Sequence, residues 1–246
     1  MTRPAVPVAR GMSMKVEIWS DVVCPWCYIG KRRFEQALAG FAHRDEVEVV
    51  WRAFELDSGA PAEREGGYAE NLATKYGFSV AKAQEMIDTM TATAAQDGLE
   101  LHFETARPGN TFDAHRLLHA AAEHGVQDAV KERLLRATFT EGEPIGDAET
   151  LVRLVAEAGL DAEQARAVLA SDRYAAEVRG DQAQARAYGI SGVPFFVVDG
   201  RYGVSGAQPA SALAQVLAQA WAERTPLQVV ATGPAGPGCD GDACAV

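Results

Sequence analysis

Two cysteines separated by a proline and a tryptophan, Cys24-Pro25-Trp26-Cys27, stand where a strand-like segment gives way to a helix-like one. No other feature restricts the fold as much. Before the motif, Lys15–Ser20 (Lys-Val-Glu-Ile-Trp-Ser) alternates apolar and polar residues as a half-buried strand does. After it, Ile29, Phe34, Leu38 and Phe41 recur at helical spacing, and Gly40 marks the expected end. Val47–Leu56 is again rich in β-formers. The opening reads strand, loop, helix, strand, the order of a right-handed βαβ crossover.

Helix N-termini carry free backbone N–H groups and the positive end of the macrodipole, and both favour a thiolate. In this reading Cys24 is the cap, Pro25 the first helical residue, where its missing N–H costs nothing, and Cys27 lies in the same turn. Related motifs have thiol pKa values of roughly 3.5 to 7, so an anion at Cys24 and a closable Cys24–Cys27 disulfide are expected. Trp26, between them, is placed to adjust potential and substrate contact. Two other readings of the pair stay open: half of a zinc site, or two buried structural cysteines.

Downstream, six helical segments separated by Gly, Pro or Asn are expected near 64–76, 80–97, 111–124, 127–141, 147–157 and 161–169, with Asn110 capping the third and Asp113 at its third helical position. A long helix over 172–188 follows, then strands at Phe195–Val198 and Tyr202–Ser205 joined at Asp199-Gly200, and a last helix over 209–223. The expected division is a disordered extension at 1–13, an α/β domain from 14–57 and 172–226, an inserted helical domain at 58–171, and a flexible cysteine-containing tail at 227–246. Gly192-Val193-Pro194 precedes the first of the two late strands, a position where proline is tolerated and can be cis.

The net charge of -11 argues against nucleic-acid and anionic-membrane partners. Neither a signal-peptide pattern nor a run of about 20 apolar residues is visible, so a cytoplasmic protein is expected. There, four cysteines serve reactivity or metal binding rather than stapling. His115 and His119 have metal-ligand spacing, and His124 follows, but no accompanying Glu motif is present and a structural or solvated role is favoured; no metal site is expected. Asp21 reads as a turn residue that could also tune the motif.

Ser20-Asp21, Cys24-Pro25-Trp26-Cys27, the helical insertion and Gly192-Val193-Pro194-Phe195 together resemble the DsbA-like branch of the thioredoxin superfamily. Pro108–Leu117 (Pro-Gly-Asn-Thr-Phe-Asp-Ala-His-Arg-Leu) and Val204–Gln208 (Val-Ser-Gly-Ala-Gln) are similar to its FrnE-like members. The resemblance implies an α/β thioredoxin fold with a large inserted helical domain. It implies thiol-disulfide exchange with protein or small-molecule substrates, with Cys24 an exposed nucleophile and Cys27 the resolving thiol. It further implies a cis Pro194 against the disulfide, a Val193 backbone that pairs with substrate, and no bound cofactor beyond thiol reductants such as glutathione. Direction and oligomeric state are not implied.

Rival readings on the same architecture are a glutathione-dependent isomerase or transferase, which typically has serine at the position of Cys24, and a polyketide-tailoring enzyme. A non-enzymatic rival is a zinc-binding module of four thiolates. Cys239 and Cys244, with four residues between them, are read as a second redox pair, against an inert tail or a weak metal clip. About 15 residues of flexible linker span roughly 20 Å, comparable with a radius of gyration of roughly 18 Å, so the tail can reach the first pair.

Overall fold

The computed structural model describes residues 13–224, so the N-terminal extension and the tail with Cys239 and Cys244 lie outside the described residues. At its centre runs β1 (Met14–Ser20), paired in parallel with β2 (Val47–Ala53) and antiparallel with β3 (Phe195–Val198), which in turn pairs with β4 (Tyr202–Ser205). The strand order is β2-β1-β3-β4. A central strand buries both faces. Met14, Val16 and Ile18 of β1 are fully buried in one cluster with residues of α1 (Pro25–Ala39) and α9 (Ala210–Ala222), while Trp19 is buried in another with Ala185 of α8 (Ala175–Ala187). Each such side chain contributes about 1.5–3 kcal/mol of burial free energy. Glu17 is tolerated inside because Arg52 and Lys15 pair with it.

Between β2 and α8 the chain forms α2 (Tyr68–Tyr76), α3 (Val80–Gln96), α4 (Phe112–Glu123), α5 (Gln127–Arg136), α6 (Ala148–Glu157) and α7 (Ala162–Leu169). Residues of α4 to α7 share one apolar core with Val22, beside the motif, and α3 packs with Tyr28 and Ile29 of α1 in another. The insertion therefore clamps the motif from two sides.

Several boundaries differ from the sequence reading. The second helix begins at Tyr68, not near Arg64, because Gly66 (φ 81) breaks the backbone and the Glu70 carboxylate accepts from the Gly67 N–H; Arg64 pairs with Asp57 instead. Asn110 lies one residue before the cap, Thr111, and ties two segments by accepting from Phe112 N–H and donating to Ala60 O; Asp113 is thus the second helical residue. The helix expected over 127–141 widens into a π turn at Ala137–Glu141. The one expected from Asp172 starts at Ala175, after Tyr174 at φ 62. The turn at Asp199 and Gly200 has positive φ at both residues (54 and 65), as a two-residue reversal of this hand requires.

Candidate active site

The two motif cysteines are not joined to each other, and their positions follow from local chemistry. After Ser20 the chain turns through Asp21, whose carbonyl accepts from Cys24 N–H, and α1 opens with Cys24 in extended geometry as N-cap and Pro25 next. The Cys24 carbonyl takes the N–H groups of Cys27 and Tyr28. Both sulfurs thus ride on one helical turn. The resemblance implies an exposed Cys24; here the residue is 4% exposed and Trp26 is the exposed one, at 38%. Cys24 instead sits in the wall of a cleft of about 370 Å³, bounded by the active loop, α2, α3 and Ser191–Val193.

The Val193–Pro194 peptide is cis, and the Cys24 thiol donates to the Val193 carbonyl at 3.5 Å. Among the described residues the Val193 N–H donates to no group. Gly206 N–H holds Pro194 O at 2.8 Å. On α1, Gly30 makes this packing possible: a Cβ there would lie 2.7 Å from Pro194 Cγ. Tyr68 enters the cleft from α2, and burial above all pushes its phenol up.

Behind Cys27 the surroundings are charged. Asp21 is buried, accepts from Leu56 N–H at 2.7 Å, and lies 3.3 Å from His115 Nε2. Burial favours its protonated form, but His115, Leu56 and Lys131 outweigh that and hold the carboxyl below its usual value. Lys131 of α5 is fully buried and donates to Ser20 O at 3.4 Å. Burial brings its ammonium down to about 8, although Cys27 and Asp21 pull the other way.

The two sulfurs are driven in opposite directions. Burial opposes a charge on Cys27, but the Cys24 thiol, Lys131 and the Ser20 hydroxyl together hold it down. Cys24 is pushed well up, first by the Cys27 sulfur beside it and then by burial. The pair shares one negative charge, and two adjacent thiolates are excluded by repulsion.

His115 and His119, expected at ligand spacing, serve different carboxylates. His119 Nε2 lies 2.9 Å from Asp181, which also accepts from Ala53 N–H and Arg52. His124 ends α4 on the surface. Among the described residues no three His, Cys, Asp or Glu side chains are grouped to hold a metal ion, and no helix there is long and apolar enough to cross a membrane.

A family model, the DSBA-like thioredoxin domain, matches residues 15–218. The crystal structure of a probable DsbA oxidoreductase from Streptomyces coelicolor is 51% identical, covers 92% of this chain and 100% of its own, and superposes with a TM-score of 0.84. The uncharacterized protein YwbO of Bacillus subtilis is 30% identical over 191 residues, 76% of this chain and 88% of that one. The cytosolic disulfide reductase DsbM of Pseudomonas aeruginosa, at 21% identity and TM-score 0.57 over 83% of this chain and 98% of that one, shares the fold.

Proposed function

Since the chain belongs to the DSBA-like thioredoxin domain family, we propose that it is a thiol-disulfide oxidoreductase that works through Cys24 and Cys27 and belongs to the FrnE-like branch. The observation that carries the reading is the Cys24 thiol in the cleft wall, 3.5 Å from the Val193 carbonyl, with a partner sulfur on the same helical turn. The FrnE-like stretch Pro108–Leu117 supplies Pro108, Gly109 and Thr111 to the cleft and His115 to Asp21, so its residues surround the motif.

The steps follow from exchange chemistry. A proton passes from Cys24 to Cys27, and the Cys24 thiolate attacks a substrate disulfide, forming a mixed disulfide and expelling one substrate thiolate. Cys27 returns that proton to water and attacks the Cys24 sulfur. The Cys24–Cys27 bond forms, the bond to substrate breaks, and two electrons have moved from the pair to the substrate. The reverse sequence oxidises a dithiol. An extended substrate backbone would use the free Val193 N–H beside the reacting sulfur, with Pro25, Trp26 and Pro194 shaping the contact. No bound cofactor takes part; a thiol such as glutathione returns the pair to the reduced form, in the cytoplasm. Cys239 and Cys244 act as a second pair in exchange with the first.

The test is turnover of a small disulfide by the full chain. Wild-type protein is expected to reduce it catalytically with glutathione as donor, and removal of 227–246 is expected to slow regeneration. Full activity in Cys24→Ser would overturn the assignment.

A further inference from the structure

The cleft in front of Cys24 admits little. Cys24 is 4% exposed, so whatever its sulfur attacks must come inside. At about 370 Å³ the space lies at the small end of pockets that enclose compact ligands, roughly 300–1,000 Å³. A disulfide on a folded protein brings two backbone segments with it, their Cα atoms roughly 4.4–6.8 Å apart. A small molecule brings only its own body. The dimensions favour the second.

The walls set the chemistry. Tyr68, Leu72 and Tyr76 line the space from α2 at intervals of four, one helical face, and α3 adds Met86 and Met90. Aromatic rings and thioethers of this kind suit a flat apolar body. Among the described residues the lining holds four Asp, Glu, Lys or Arg side chains: Asp21, Asp57, Arg64 and Lys75. Asp21 is engaged by Leu56 and His115, and Asp57 is paired with Arg64. Lys75 is exposed in the last turn of α2, with the Tyr76 ring 5.6 Å from its ammonium, and it forms no salt bridge among the described residues. Its charge reaches Asp57 as well, so Asp57, Arg64 and Lys75 together leave one positive charge over at the edge of the cleft. In a chain of net charge -11 that is a local reversal of sign, placed where a substrate enters.

We propose that the substrate of this cleft is a small disulfide with a flat apolar body and a carboxylate, the carboxylate meeting Lys75 while the sulfur–sulfur bond lies at Cys24. The proposal rests on the exchange reading above and narrows it. The Cys24 thiolate attacks one substrate sulfur, and the other half leaves as a thiolate that still carries its acid. Cys27 then attacks the Cys24 sulfur, the Cys24–Cys27 bond forms, and the second half leaves in the same form. Two electrons have passed from the cysteine pair to the two released thiols. Two glutathione molecules return them and become glutathione disulfide. Lys75 takes no part in these bond changes. It is a binding residue that neutralises the entering acid, while the rings and thioethers cover the apolar body.

The experiment mixes the reduced full-length chain in a stopped-flow instrument with four disulfides: that of para-mercaptobenzoate, its bis-amide, glutathione disulfide and insulin. Each rate is divided by that of dithiothreitol with the same compound, which removes differences in intrinsic reactivity. For wild type the benzoate disulfide is expected to exceed its uncharged bis-amide about fivefold, the scale of one partly exposed ion pair. It is expected to exceed glutathione disulfide, acidic but without an apolar body, about tenfold, and insulin about a hundredfold. Lys75→Gln is expected to bring benzoate and bis-amide to near parity through weaker saturation rather than slower attack, and Lys75→Arg to keep most of the preference. Salt at about 0.5 M is expected to weaken the preference in wild type, a reading that needs no variant to fold. A benzoate no faster than its bis-amide, a preference kept in Lys75→Gln or indifferent to salt, or glutathione disulfide or insulin reacting as readily as the benzoate overturns the proposal while the exchange reading stands. A wild-type chain that reacts with none of the four overturns both.

Discussion

Cys24 and Cys27 lie on one turn of one helix and face opposite surroundings. Around the outer sulfur are the Val193 carbonyl, the exposed Trp26, Tyr68 and an open cleft. Around the inner one are the Ser20 hydroxyl, Lys131 and Asp21, closed from solvent. The outer side is built for access and the inner side for charge. A resolving thiol needs to be an anion without being reachable by substrate, and separating the two environments by three residues of helix achieves this. Two predictions below concern the outer side, one the junction between α1 and the cis loop, and one the inner side.

The largest effect is expected on the outer side: Cys24→Ser should reduce turnover at least about a thousandfold, to background, because among the described residues no second thiol lines the cleft. An unchanged circular dichroism spectrum would confirm that the fold is kept. Next is Gly30→Ala. Its new methyl meets Pro194 at 2.7 Å, so the cis loop must move away from α1. Exchange is expected to fall about tenfold and stability by about 1–3 kcal/mol, read from substrate kinetics and urea unfolding.

On the inner side, Asp21→Asn is expected to change acid stability. The folded-state carboxyl titrates below its unfolded value of 3.8, so its stabilisation is present above that pH and lost as pH falls through the lower folded value. Wild type should therefore lose stability in that acid window, and the variant should show a shallower loss there while being about 1–3 kcal/mol less stable near neutrality. Chemical unfolding at stepped pH checks both. Smallest is Trp26→Ala, which removes a partly exposed ring from the cleft edge. KM for a peptide disulfide is expected to rise a few-fold, with stability changed by less than about 1 kcal/mol.

The outer side was legible in the sequence because its parts are contiguous. Strand β1, the motif, the start of α1 and the hairpin at Asp199-Gly200 follow from local periodicity and turn chemistry, and their boundaries fall within a residue or so of the expected ones. The inner side was not. Lys131 stands 104 positions beyond Cys27 on a helix whose own pattern gives it no distinction, and only the packing of α5 against β1 and β2 brings it to the Ser20 carbonyl and the Trp51 ring. The carboxylate partners of His115 and His119 were hidden for a related reason: helical spacing shows that two side chains share a face, not which partner each finds. Gly30 did leave a signal. A glycine inside a helix costs about 1 kcal/mol relative to alanine, and here the reason is the proline ring against it. The same remoteness hides the setting of the inner sulfur: dipole reasoning sees the cap sulfur but not the ammonium among the charges around its partner.

The division of labour between the two sulfurs can be read directly by trapping. Single variants Cys24→Ser and Cys27→Ser, each made with Cys239 and Cys244 replaced by serine, are mixed with an excess of disulfide peptide, and the adducts are mapped by mass spectrometry. Cys27→Ser is expected to hold the peptide on Cys24 as a persistent mixed disulfide, and Cys24→Ser to hold none on the shielded inner sulfur. Equal labelling of Cys27 in the second variant would contradict the account, since the sulfur assigned to charge would then also be the one open to substrate.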